Sequence, residues 1–282
     1  MNGWADRFRG VGRPTPTAKA RPRDLALTTR FWTTHAGLPA AFFVLAFAWI
    51  ALGHIDFRLA TAAFYDVAAR TWIGAHTWWA EDLIHTDGLA LVRSVVVAAT
   101  LAYGASRLWP RLGVLRRDAA YVALAIVLAT GIVALLKQVT DVDCPWSLTD
   151  FGGTHTYVSL LGHRAPGAPR VACFPGAHSS GGFALMCFYF VLRDRLLSAA
   201  RVFLVIGILA GAVFAFGQEA RGAHFLSHDV ASAAIVWFTQ LALYLRMLAP
   251  TKAVSRGRAR LLQSPACPLA LCSSPKTSTT TR

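Results

Sequence analysis

"RVFLVIGILAGAVFAFGQEARGAHFLSHDV", Arg201–Val230, falls into two halves. From Val202 to Gly217 no residue carries a charge, and the run is of membrane-spanning character. From Gln218 onward the chain holds Glu219, Arg221, His224, His228 and Asp229. Ionisable groups crowded at the mouth of an apolar helix are costly in a bilayer, so they point to function.

Read outward, the pattern recurs. The chain has 282 residues, of which 55% are hydrophobic and 15% charged, with a mean hydropathy of +0.46. Soluble domains carry about 25% charged residues. Six apolar runs lie near 37–55, 90–108, 119–137, 178–193, 201–218 and 230–249. The fourth is short for a span, so its start is expected to be buried in protein. The fold class expected is all-α: a polytopic membrane protein, a six-span helical bundle. A basic segment, 1–36, precedes the six-span domain, 37–249. A Ser/Thr/Pro-rich basic tail, 250–282, reads as disordered and cytoplasmic.

Residues 1–30 are polar and basic and are broken by Pro14 and Pro16. They do not read as a cleavable signal, so the first apolar run is expected to stay as an anchor. Between the first two runs, "FYDVAARTWIGAHTWWAEDLIHTDG" (Phe64–Gly88) is aromatic and mixed. Trp72, Trp78 and Trp79 predict a short helix at the membrane interface.

The net charge of +14 invites a nucleic-acid reading. The distribution argues against it, because the charges cluster between apolar runs and in the tails rather than along one face. With the N-terminus inside, inner segments hold 21 of the 28 Lys and Arg, and outer segments hold ten of the 14 acids. This Lys/Arg bias predicts two cytoplasmic termini.

That topology places three polar clusters together on the outer, periplasmic side. They are "KQVTDVDCPW" with Lys137, "CFPGAHSS" with His178, and "EARGAHFLSHDV" with Arg221, His224, His228 and Asp229. Lys137 and Arg221 supply permanent charge and several donors for phosphate oxygens. Gly176 and Ala177 let backbone N–H groups approach an anion, at a helix N-terminus if Pro175 opens the helix. One neutral imidazole can attack phosphorus, and a protonated one can give its proton to the leaving oxygen. On a helix, His228 would share a face with His224 and could orient its ring. Paired histidines are also haem or metal ligands in other settings.

The order of clusters resembles the type-2 phosphatidic acid phosphatase family, whose signature reads K-x6-R-P, P-S-G-H and S-R-x5-H-x3-D. The family shares its site architecture with vanadium haloperoxidases and glucose-6-phosphatase. The resemblance implies that Lys137 binds phosphate, that His178 is the general acid and that His224 is the nucleophile, forming a phosphohistidine without a metal or other cofactor. The expected partners are the bilayer and a membrane lipid phosphate, of phosphatidic acid, polyprenyl pyrophosphate or lipid A type. Phosphotransfer to a second lipid, and a non-catalytic lipid-phosphate-binding or haem-binding role, are the other readings.

The chain departs from the signature. Cys144-Pro145 stands for Arg-Pro, and Gly176-Ala177 for Ser-Gly. Gln218 occupies the place of the motif-three Arg, with Arg221 only three residues before His224. His228 falls where the orienting Asp belongs, with Asp229 one residue later. Arg164 or Arg170 could replace the lost guanidinium. Cys144 and Cys173 share the outer loop and could form a disulfide in an oxidising periplasm, while Cys187 lies within a span and Cys267 and Cys272, in the inner tail, should stay reduced. His54, His76, His85, His155 and His163 read as loop or interface residues. Asp141, Asp143 and Asp150 read as solvated acids.

Overall fold

The structure is a computed structural model that describes residues 28–159, 162 and 170–249. His163, Arg164, Cys267, Cys272, the residues before 28 and the tail from 250 lie outside the described residues.

Helix α1, Thr29–Leu52, starts earlier than the first apolar run predicts. Thr28 caps its N-terminus by accepting from Phe31 N. The short helix α2, Ile55–Leu59, and a turn through Phe64 lead to a two-strand hairpin, β1 (Tyr65–Asp66) against β2 (Thr71–Trp72). Helix α3, Trp79–Leu108, follows, and α4 is Arg116–Thr140. The fourth apolar run becomes two short helices, α5 (Ala177–Ala184) and α6 (Cys187–Leu192). Helix α7 is Leu197–Ala220, and α8 is Leu226–Met247.

The protein is an all-α multi-pass membrane protein. Among the described residues, five helical stretches are long and apolar enough to cross a membrane: Thr29–Leu52, Trp79–Leu108, Pro110–Ser147, Leu197–Ala220 and Leu226–Met247. Ala177–Leu192 is apolar but shorter, and its first turn is buried at His178, Ser179 and Ser180. Backbone polar groups at membrane depth need such protein cover. Outward-facing Phe42, Leu45, Trp49, Leu135 and Val139 form part of a lipid-facing belt.

Polar bonds tie the helices where water is absent. Tyr121 OH on α4 donates to the Gln240 carbonyl on α8, and Gln240 Nε2 donates to the Ala184 carbonyl on α5. Trp237 Nε1 donates to the His35 carbonyl on α1. Such interhelical bonds contribute on the order of 0.6–2 kcal/mol each in membranes. One end of the bundle gathers basic residues. Arg193 lies 4.5 Å from the Phe31 ring and 4.9 Å from the Tyr244 ring, and Arg195 pairs with Asp118.

The Trp-rich stretch corrects the sequence reading. It is a tight hairpin followed by the start of α3, and Trp72 is buried. The reason lies at Gly222, where φ is +74° and the Trp72 ring leaves no room for a side chain. Gly74 N donates to the Ala220 carbonyl at 2.9 Å, holding the hairpin against the α7–α8 turn.

Candidate active site

Four helix ends meet at the bundle end opposite the arginine-rich one. Lys137 stands in the last turn of α4, and His178 in the first turn of α5. Arg221 follows α7, and His224 precedes α8. The segments between them are bound by main-chain hydrogen bonds. Trp146 N donates to the Gly222 carbonyl at 2.9 Å, and Cys173 N to the Val142 carbonyl at 3.0 Å. Val171 N donates to Asp141 Oδ1 at 2.8 Å. Cys144 and Cys173 are paired as a disulfide, their Cα atoms 5.1 Å apart.

His224 is buried, and its Nδ1 lies 2.9 Å from Asp229 Oδ1. A carboxylate accepts, so Nδ1 carries the proton and Nε2 keeps a lone pair. His224 lies outside the helix, so the residue five positions on reaches it and the one at four does not. His228 is fully buried, its ring 6.0 Å from that of His224 and edge-on to Phe174. The orienting place that the signature gives to His228 is therefore filled by Asp229.

Gly176 explains how Asp229 fits. A Cβ there would collide with Asp229 Oδ1 and lie 2.8 Å from His224 Nδ1. The missing serine of motif two and the displaced aspartate of motif three are one adjustment. Gly176 N also donates to the His228 carbonyl at 3.0 Å, and Ser232 Oγ donates to the Gly176 carbonyl at 2.7 Å. The Gly176 amide expected to face phosphate is thus committed elsewhere, leaving Ala177 at the helix start. The α5 helix begins at Ala177, two residues after Pro175.

His178 Nε2 donates to the Ile84 carbonyl at 3.0 Å. Its ring stacks on His85, centroids 4.5 Å apart, and on Phe214 at 4.9 Å. The sequence reading makes His85 an interface residue, and the structure instead sets it in the site. The sequence holds no local motif for it, because α3 brings it from more than ninety residues away. Gln218 Nε2 lies 3.0 Å from His85 Nδ1, and Arg221 Nη1 donates to Gln218 Oε1 at 3.4 Å. Lys137 is half-buried and within electrostatic reach of Asp229 and His228. Arg221 reaches His85 and His178 in the same sense.

One further reading changes. Asp143 is buried rather than solvated, and its Oδ1 lies 2.6 Å from His155 Nδ1. Two short 3₁₀ turns, Pro145–Ser147 and Thr149–Phe151, fold the loop back to bring this pair together. Asp56 is half-buried, and its Oδ1 accepts from Ser227 N at 2.9 Å in the first turn of α8. Burial raises its carboxyl above the usual range, and nearby Asp229 adds to this against the lowering Ser227 bonds. Arg170 is exposed. A cavity of about 710 Å³, walled by Phe42, Phe43, Met186 and Trp237, has Glu219 and Asp229 on its lining.

The fold defines a class, a multi-pass helical membrane protein, and one end of its bundle gathers histidines with Lys137 and Arg221. Residues 118–252 match the family model of the PAP2 superfamily. Its members are phosphatases acting on phosphate esters, so at that level the chain is a phosphoric ester hydrolase. No curated protein and no solved structure matches the chain.

Proposed function

We propose that the protein hydrolyses the phosphate ester of a membrane lipid through a phosphohistidine on His224. The observation that carries this is the buried His224–Asp229 hydrogen bond, which leaves Nε2 unprotonated. Lys137 and Arg221 bind the phosphate oxygens. Nε2 attacks phosphorus, and the bond from phosphorus to the lipid oxygen breaks. His178 holds Nε2–H on the Ile84 carbonyl, so Nδ1 is the atom that takes up a proton as the phosphate binds and passes it to the leaving oxygen. Asp229 stabilises the imidazolium that forms on His224. Water, deprotonated by the now neutral His178, then attacks the phosphohistidine and releases inorganic phosphate.

The apolar walls beside Asp229 and the lipid-facing belt support a lipid substrate. The Lys/Arg distribution supports an active site on the periplasmic face of a bacterial inner membrane. Phosphate release from a panel of lipid phosphates, with acid-labile phosphohistidine trapped at early times, tests the reading. Absence of a trapped species with every releasing substrate would overturn the His224 mechanism.

A further inference from the structure

We propose that His85 is a phosphate-binding residue of this site, presenting its Nε2–H to the substrate's phosphate and standing in for a guanidinium that the chain has lost. The inference rests on the phosphatase reading above. It starts from two absences. Cys144 and Gln218 occupy the two places where the family signature has arginine. The site keeps Lys137 and Arg221 as its cations, and a phosphate has more oxygen lone pairs than these two serve.

Three observations place His85 for the task. First, its ring lies against that of His178, centroids 4.5 Å apart and planes 26° from parallel. On the phosphatase reading, His178 gives the proton to the leaving oxygen, and the stacking sets His85 next to that donor. Second, its tautomer is fixed. Arg221 Nη1 can only donate, so the atom of Gln218 facing it is the carbonyl Oε1. The amide nitrogen then faces His85 Nδ1 at 3.0 Å and donates to it. Nδ1 accepts, and the ring's single proton is on Nε2. Third, the ring is half-buried, and Nε2 has no hydrogen-bond partner among the described residues. A donor prepared by a three-residue chain and left unused points to a ligand.

Arg221 therefore acts twice, as a charge near the phosphate and as the anchor that sets Gln218. Gln218 serves here as a positioning residue, at the place where the family signature has arginine. The substitution trades a cation for a neutral donor.

The test uses the full-length protein in detergent and orthovanadate, whose five-coordinate form resembles attacked phosphorus. Three variants separate a donor from a spacer. His85→Phe keeps a ring to stack on His178 but has no N–H. His85→Ala has neither. His85→Gln sets an amide N–H near the place of Nε2 without a ring. The expected result is vanadate affinity and kcat/KM lower by about ten- to hundred-fold in the Ala and Phe variants, the size of one hydrogen bond to a charged group. The Gln variant should recover most of that loss. A Phe variant equal to the wild type would show that stacking alone suffices, and would overturn the proposal. A Gln variant no better than Ala would overturn it as well. Failure of the wild type to bind vanadate or release phosphate would instead strike the phosphatase reading.

Discussion

Nδ1 of His224 lies 2.9 Å from Oδ1 of Asp229, five residues downstream, with both side chains buried. An α-helical register would give the contact to position 228. The chain enters α8 only at Leu226, so His224 reaches back across the helix start. Asp229→Asn should keep the ring near its place but favour the wrong tautomer. Turnover should fall by about 10⁴, as for the comparable carboxylate of serine hydrolases. His224→Ala should abolish phosphohistidine trapping, and His228→Ala should leave a slow, trappable enzyme. Trapping lost only in the His228 variant would reassign the nucleophile.

Gly176→Ser restores the serine of the family motif and should nevertheless inactivate this chain. The added Cβ would meet Asp229 Oδ1 far inside contact distance. Activity should fall toward that of Asp229→Asn while helical circular dichroism stays unchanged. A Gly176→Ser variant as active as wild type would show that Asp229 can retreat without losing His224.

Asp56 gives a pH signature in stability. Its folded pKa is raised, so its contribution is fully present below the unfolded value of about 4 and is lost as pH rises through the folded value. Asp56→Asn keeps an acceptor for Ser227 N and removes the titration. Thermal midpoints in detergent should show the wild type losing ground to the Asn variant as pH rises above the ordinary carboxylate range. The opposite trend would mean that the charge at the start of α8 outweighs its desolvation.

The Cys144–Cys173 pair closes a loop with a sequence separation of 29 residues. A bridge of that length contributes roughly 3–4 kcal/mol by restricting the unfolded chain. Reductant should lower the thermal midpoint, and Cys144→Ser with Cys173→Ser should do the same without reductant. Non-reducing mass spectrometry should find the linked peptide pair. Free alkylation of both thiols in membranes would remove the bridge from the account.

Reporter fusions test the orientation. A fusion after Pro110, on the arginine-rich side, should report cytoplasm, and one after Arg170 should report periplasm. Reversal would move the substrate to the inner leaflet.

The apolar runs carried most of the fold in plain view, because membrane helices must be long and uncharged whatever their partners. The hairpin at Tyr65–Trp72 was hidden. Its aromatics look interfacial until Gly222 shows that Trp72 has a protein pocket to fill. Lys137, His178, Arg221 and His224 were legible because each sits at a helix end in the family's order. His85 was not, since only the packing of α3 against α5 and α7 gives it neighbours. The choice between His228 and Asp229 was open for a similar reason: it depends on where α8 begins.

The bonds that frame the site are largely main chain to main chain: Gly74 to Ala220, Trp146 to Gly222, Cys173 to Val142 and Gly176 to His228. A peptide group is the same in every residue but proline, so this frame places little demand on which side chains occupy those positions. The motif letters can drift while the geometry holds. Chains sharing this frame would be recognised better by the spacing of their small residues and prolines than by their arginines. For an engineer, the mouth is a chassis in which the side chains that line it can be exchanged one at a time.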